Sequence, residues 1–314
     1  MFDTVIIGGG ICGFSAAMYA GRLGLKTLVL EGKVMGGTIT TTNIVENWPG
    51  IKNISGENLA MQVIEHAKEY KIEIKDEWVE EVNIGGSEGC FTVKTDEGSY
   101  EGKTLIFATG ANHRKHPAKN ASKFENRGVH YCALCDGPLY TGKNLAVIGG
   151  GDSAAKEALL LADYAPTVHL LVKGDTLRAE TVNYERVKAN KKIKVETEVN
   201  IVEMMGDSKL ESLVLEKKGQ KQNLKIDGAF IAIGIIPQSE LALKLGVKLN
   251  KKKEIIIDRM SETSIKGVFA CGDVTDTRFK QAITGAGEAV SAAYWAFEHV
   301  NSDEYVCPHG EERP

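Results

Sequence analysis

Apolar residues gather twice in this chain into the same succession of runs. A β-branched run at residues 5–7 stops at Gly8, an alanine-rich stretch follows, and a second apolar run at 27–30 ends on Glu31. Farther on, an apolar run at 145–148 stops at Gly149. A helical pattern then continues to about residue 162, and another apolar run fills 167–172. Short continuous apolar runs bounded by glycine predict strands buried on both faces, and the alanine-rich stretches between them predict helices packed across those strands. Each set therefore reads as a β-α-β unit, and the expected fold class is α/β with two Rossmann-like units.

The longest apolar runs, "LAVIGG" and "GAFIAIGIIP", have the length of strands and not of membrane spans. The opening "MFDTVIIGGG" begins a strand at once, without the charged and apolar regions of a signal peptide, so a cytoplasmic location is expected. A length of 314 residues predicts two domains. A composition that is 43% apolar and 25% charged is that of a globular protein. The formal charge of −4 gives no electrostatic reason to expect nucleic acid or an anionic membrane as a partner.

Each glycine of the first loop has a task. In Gly8-x-Gly10-x-x-Gly13, Gly8 permits the tight turn, Gly10 lets the backbone approach a pyrophosphate, and Gly13 allows helix and strand to pack closely. The helix N-terminus then presents free N–H groups to that phosphate. Glu31 falls where a carboxylate accepts hydrogen bonds from a ribose. The second loop reads Gly149-x-Gly151-x-x-Ala154, with Asp152 and Ser153 opening its helix. At its strand end stand Val172, Lys173 and Gly174 in place of an acid, so Lys173 and Arg178 are candidates for a 2′-phosphate.

Between the loops lies "YCALCDG", residues 131–137. Cys132 and Cys135 can be a redox disulfide, half of a metal site, or two buried thiols. A zinc site needs two more ligands. Cys90, Cys271 and Cys307 stand alone, and His113, His116 and His130 form no paired pattern, so no metal is assigned. Six cysteines are too few for a disulfide scaffold, so a CxxC reads as redox or metal chemistry before a structural staple, and two nucleotide loops beside it make inert thiols the weaker reading. Cys12 and Cys271 read as small packing residues beside the loops, and Cys90 in "GCFTV" as a core strand residue.

From the first glycine loop to the C-terminal helix the chain resembles the low-molecular-weight thioredoxin reductases. The resemblance is carried in order by "GGGICGFSAAMYAGRLGL", "GGTITTTNIVENWPG", "LIFATGA", "GVHYCALCDG", "VIGGGDSAAKEA", "GVFACGDV" and "RFKQAITGAGEAVSAAYWA". It implies two three-layer ββα nucleotide-binding domains, the second inserted in the first. An FAD domain would comprise residues 1–113 and 243–314, and a nicotinamide and disulfide domain residues 114–242, with hinges near Pro117 and Pro237. It further implies a homodimer whose domains rotate against each other.

By the same resemblance Cys135 faces the flavin, Cys132 attacks the partner's disulfide and Asp136 is the proton donor. FAD would meet Gly8, Gly10, Gly13, Glu31, Gly37, Thr38, Asn47, Ala108, Thr109, Gly110, Gly272, Asp273, Gln281 and Ala282. NADPH would meet Gly149, Gly151, Asp152, Ser153, Ala154, Lys173 and Arg178. Trp48 either covers the flavin or anchors the "NWPG" turn. The expected partner is a separate thioredoxin or glutaredoxin-like protein.

Several residues depart from the family pattern. Relatives that use NADPH carry a His-Arg-Arg run where this chain has Val172-Lys173-Gly174, which opens a second reading with ferredoxin or another low-potential donor. Thr38 replaces a glutamine, Leu134 replaces a threonine within the CxxC, and Ile235 replaces a histidine. A flavoprotein that keeps FAD as a non-catalytic redox sensor is the remaining alternative. The tail carries Cys307 and His309, which reads as an exposed segment.

Overall fold

A computed structural model describes residues 1–42, 44–86 and 90–302. The expectations for Cys307 and His309 lie outside the described residues. The chain divides into two compact units: Met1–Asn112 together with the chain from Ile236 onward, and His113–Ile235.

The first unit opens with β1 (Phe2–Ile7), α1 (Ile11–Arg22), β2 (Thr27–Glu31), α2 (Gly56–Lys68), β3 (Ile72–Asp76), β4 (Val79–Ile84), β5 (Phe91–Thr95) and β6 (Ser99–Phe107). β1 pairs in parallel with β2 and β6, and β2 with β3. The start of β6 pairs antiparallel with β5, and β5 with β4. Side chains alternate strictly between two cores. Val5, Ile7, Leu28, Leu30, Leu105 and Phe107 face the layer of β4 and β5. Ile6, Val29 and Ile106 face the alanine side of α1, Ala16, Ala17 and Ala20. A slip of one residue would exchange these faces, so burial on both sides fixes the register.

After β7 (Ala111–His113) the second unit begins. It holds β8 (Val129–His130), α3 (Ala133–Asp136), β9 (Asn144–Ile148), α4 (Asp152–Tyr164), β10 (Thr167–Leu171), α5 (Thr181–Ala189) and β11 (Ile193–Glu196). Next come β12 (Asn200–Met205), β13 (Ser212–Lys217), β14 (Gln220–Lys225) and β15 (Gly228–Ile231). Among the described residues the central sheet is five-stranded, in the order β11-β10-β9-β15-β8, and its paired strands are parallel. Leu145, Val147 and Phe230 face α4, while Ala146, Ile148 and Ile231 face the antiparallel layer β12-β13-β14.

β16 (Ile235–Pro237) leads back, and α6 (Glu240–Leu245), β17 (Val268–Ala270) and α7 (Ala282–Asn301) complete the first unit. β17 pairs with β6 in parallel. β7 and β16, where the chain passes between units, pair with each other. The second crossing corrects the expected boundary at 242/243. Ala242 and Leu245 are buried in the first unit's core, so α6 belongs to that unit and the chain crosses at Ile235. Cys90, expected within a strand, lies buried just before β5. Among the described residues, no helix is long and apolar enough to cross a membrane.

Candidate active site

The first glycine loop joins β1 to α1. Gly8 has φ +107°, and a Cβ there would strike the carbonyl of Ala108. At Gly13 a Cβ would overlap the carbonyl oxygen of Gly8. Gly10 is different: the nearest atom to its added Cβ would be the Gly37 Cα, 3.8 Å away. Two glycines thus close the turn and the third leaves space over it. No side chain caps α1, so its leading N–H groups stay available to an anion.

Glu31 ties the loop to the strand end. Its Oε2 accepts from the Gly9 N–H at 2.7 Å and its Oε1 from the Lys33 N–H at 2.7 Å. The same carboxylate lines a cavity of about 510 Å³ with Gly8, Gly37, Thr38, Trp78 and Thr109. Gly8, Gly37 and the acidic strand terminus line this cavity, and with the uncapped end of α1 after the same glycine turn they form a donor and acceptor set that fits the pyrophosphate and ribose of a dinucleotide.

Other expected residues of this unit fall on loops and caps. Asn47 Nδ2 donates to Gln281 Oε1 at 2.9 Å, and Gln281 is the residue before α7, which starts at Ala282. Ala108 is buried at the end of β6. Thr109 Oγ1 donates to the Gln238 carbonyl at 2.7 Å, and the Gln238 N–H donates to the Gly110 carbonyl at 2.9 Å. Gly272 has φ +80° and lies against the Cys12 sulfur. Burial pushes the Asp273 carboxyl up, against the opposing pull of Lys280. Lys280 in turn donates to the Asp273 carbonyl at 3.1 Å. Cys271 is buried and its thiol is pushed well up by its hydrogen bond with Cys12 and by burial, as suits a packing residue. Trp48 packs on the cluster around Leu59.

The second loop repeats this construction. A Cβ on Gly149 would strike the Ala232 carbonyl, whereas one on Gly151 would meet nothing within 4 Å. No side chain caps α4. Ala154 is fully buried, so it serves as the small residue in the closing turn. Asp152 accepts from Asn183 Nδ2 at 2.8 Å, the Glu180 N–H at 3.0 Å and Lys156 Nζ at 2.6 Å. Burial opposes its charge, but these hydrogen bonds win and lower its pKa. Ser153, Lys173 and Arg178 are exposed, and the Arg178 N–H donates to the Gly150 carbonyl at 2.9 Å. Burial and then the Lys173 charge lower the pKa of His116, so Lys173 supplies the cation there.

Cys132 and Cys135 are bonded to each other, with Cα atoms 5.3 Å apart. The disulfide displaces the metal and buried-thiol readings. It spans a single helical turn: Cys132 precedes α3, and its Sγ accepts from the Cys135 N–H at 3.2 Å. Ala133 is buried in the helix-side core and anchors the turn, while Leu134 and Leu139 are exposed beside it.

Sequence reasoning missed what lies behind Asp136. Its Oδ2 is 3.4 Å from Nδ1 of the buried His130, whose Nε2 is 2.8 Å from the Tyr140 hydroxyl. Burial, followed by the charges of Asp136 and Asp227, pushes the Tyr140 phenol up to about 12. The signal was present: a histidine ending a strand two residues before a CxxC-Asp. On α4, Glu157 shares the buried face of Ala154 and Leu161, and Leu161 packs on Gly137 just after the cysteine turn. Burial pushes the Glu157 carboxyl up to about 8, and its Oε2 has no hydrogen-bond partner.

The family model of pyridine nucleotide-disulphide oxidoreductases matches residues 2–289. A "34.2 kDa protein in rubredoxin operon" of Clostridium pasteurianum is 39% identical over 95% of this chain and 97% of its own. The thioredoxin reductase of Treponema pallidum is 36% identical over 96% of this chain and 98% of its own. Among solved structures, the thioredoxin reductase of Streptococcus pyogenes is 34% identical and superposes with a TM-score of 0.88, over 95% of this chain and 97% of that one.

Proposed function

The chain belongs to the pyridine nucleotide-disulphide oxidoreductases and is an FAD-dependent disulfide reductase of the thioredoxin reductase type, and on that premise we propose that it passes electrons from NADPH to the disulfide of a thioredoxin-type protein. The observation that carries this reading is the Cys132–Cys135 disulfide, on a turn flanked by exposed Leu134 and Leu139 in the unit that also holds the second glycine loop.

FAD, when bound, supplies the two-electron relay between a hydride donor and a disulfide. Gly8, Gly10, Gly13 and the open end of α1 would hold its pyrophosphate, and Glu31 its adenosine ribose. Gly37, Thr38, Asn47, Ala108, Thr109, Gly110, Gly272, Asp273, Gln281 and Ala282 would line the rest of its bed. Gly149, Gly151, Asp152, Ser153 and Ala154 shape the nicotinamide nucleotide loop, with Lys173 and Arg178 as the cations for a 2′-phosphate.

Once reduced, Cys132 attacks the partner's disulfide as a thiolate. Cys135 then resolves the mixed disulfide, and Asp136 carries the proton. The exposed apolar side chains of Leu134 and Leu139 suit a protein surface better than a small polar substrate.

The test is anaerobic titration of the flavin-loaded protein with NADPH, followed by a thioredoxin. The expected result is flavin bleaching and thioredoxin reduction that depends on both cysteines. A Cys135→Ser enzyme that still reduces thioredoxin at the wild-type rate would overturn the reading. A donor such as reduced ferredoxin is the second reading. Lys173 supports it, because an exposed point charge is a weaker phosphate ligand than a planar guanidinium. NADH, NADPH and reduced ferredoxin in parallel titrations separate the donors.

A further inference from the structure

We propose that His130 is a positioning residue for the disulfide chemistry, holding Asp136 in place and sharing its proton through a relay that ends at the Tyr140 hydroxyl. The proposal rests on the reading of Cys132–Cys135 as the reacting disulfide.

The geometry is a line of three groups within the second unit. Tyr140 OH lies 2.8 Å from His130 Nε2, and His130 Nδ1 lies 3.4 Å from Asp136 Oδ2. Apolar and aromatic surfaces wall the imidazole. Phe230 of the neighbouring strand β15 lies over it with ring centroids 5.5 Å apart, and the Tyr140 ring meets it edge-on at 5.2 Å. His130 is 3% exposed and the Asp136 side chain 14%. The groups that face the imidazole are thus Asp136 from α3, Tyr140 from the turn after it, and Phe230 from β15, with the Asp227 charge beyond Tyr140.

This line has two protonation states. With Asp136 ionised, His130 Nδ1–H faces the carboxylate at 3.4 Å and Nε2 accepts the Tyr140 O–H. With Asp136 protonated, its O–H donates to Nδ1, and Nε2–H donates to the Tyr140 oxygen. A tyrosine hydroxyl serves both states because it rotates and both donates and accepts. Its phenol, pushed up to about 12, keeps its proton across the working range. The relay therefore takes up one proton beside Cys135 while each His130 ring nitrogen keeps a partner, and the Tyr140 hydroxyl, on a half-buried residue, turns its own proton to solvent.

The chemistry balances with a protein disulfide as oxidant. Cys132 thiolate attacks one sulfur of the partner, the partner's S–S bond breaks, and its first thiolate leaves. Cys135 thiol then gives its proton to Asp136, and Cys135 attacks Cys132. The Cys132–Cys135 bond forms, the mixed disulfide breaks, and the partner's second thiolate leaves with the proton from Asp136. Two electrons have moved from the dithiol to the partner. His130 touches neither sulfur; it fixes the carboxylate and buffers its proton.

The experiment takes the FAD-loaded protein, reduces it with dithiothreitol, removes the excess, and mixes it anaerobically with dithiobis(nitrobenzoate) in a stopped flow. Thiolate release is followed from about pH 5 to pH 9. His130→Gln is expected to slow the reaction about tenfold near neutrality, less than the loss of an acid–base catalyst itself because His130 acts through Asp136, and to displace the break in the pH profile. Tyr140→Phe is expected to displace it in the same direction by less. A His130→Gln protein with the wild-type profile, or with one proportionate loss at every pH, overturns the proposal. If that variant loses its far-ultraviolet circular dichroism, Tyr140→Phe decides, and an unchanged profile overturns the proposal. A Cys132→Ser protein that still releases two thiolates for each reagent molecule consumed would instead refute the disulfide reading itself.

Discussion

Replacing Glu157 with glutamine is expected to stabilise the second unit increasingly as the pH rises. Below the ordinary carboxyl value of 4.5, folded and unfolded chains both carry the proton. Between 4.5 and about 8 the unfolded chain has lost a proton that the folded chain retains, so stability falls with rising pH. Above about 8 both states are ionised and the loss is complete. At about 1.4 kcal/mol per pH unit the interval corresponds to about 5 kcal/mol, a ceiling that water penetration around the partly exposed group reduces to about 2 kcal/mol. Glutamine carries no such term. Its amide is as poorly paired as the protonated acid at every pH, so the difference between the proteins isolates the charge.

The assay is thermal unfolding of the flavin-loaded wild type and Glu157→Gln by circular dichroism at about pH 5, 6.5 and 8. The two melting temperatures should nearly coincide at pH 5. At pH 8 the variant should melt higher by about 5 °C, the shift that about 2 kcal/mol gives a unit of this size. A difference that stays constant across that range would mean that Glu157 ionises normally in the folded protein. The reasoning from its buried, unpaired oxygen would then fail.

Gly13→Ala is expected to lose the flavin, since its Cβ would overlap the Gly8 carbonyl and force α1 away from β1. The ratio of flavin to protein absorbance should fall at least about fivefold, and a fully yellow variant would refute the close-packing argument. Lys173→Ala combined with Arg178→Ala is expected to raise KM for NADPH about fivefold while leaving NADH unchanged. Steady-state kinetics check this, and equal effects on both nucleotides would remove these cations from 2′-phosphate recognition.

The parallel sheets were legible because burial on both faces writes them as unbroken apolar runs. Residues 5–7, 27–30 and 145–148 all fall inside strands, and the glycines mark where those strands end. The second boundary was read too late. Pro237 marks β16, but α6 begins only three residues beyond it and carries its own apolar side into the first core through Ala242 and Leu245. A short amphipathic helix has the same pattern whichever core it joins. Only packing assigns it, so a reading of local pattern could not place the crossing at Ile235.

The cysteine turn illustrates the same limit in its chemistry. Spacing alone allowed Cys132 and Cys135 to be a disulfide, a metal half-site or two thiols, and the fold settles that by bonding them across one helical turn. What spacing hid was the neighbourhood. His130 ends one strand, Tyr140 closes the turn after the cysteines, and Glu157 lies on the next helix, so no sequence window groups them. The fold brings His130 and Tyr140 together because β8 lies at the sheet edge beside β15, where the imidazole meets the Phe230 ring on the neighbouring strand and finds its polar partners on the turn packed against it. A polar residue there must be matched by tertiary contacts alone. For that reason a buried histidine on an edge strand beside a CxxC carries more information than its poor spacing as a metal ligand suggested.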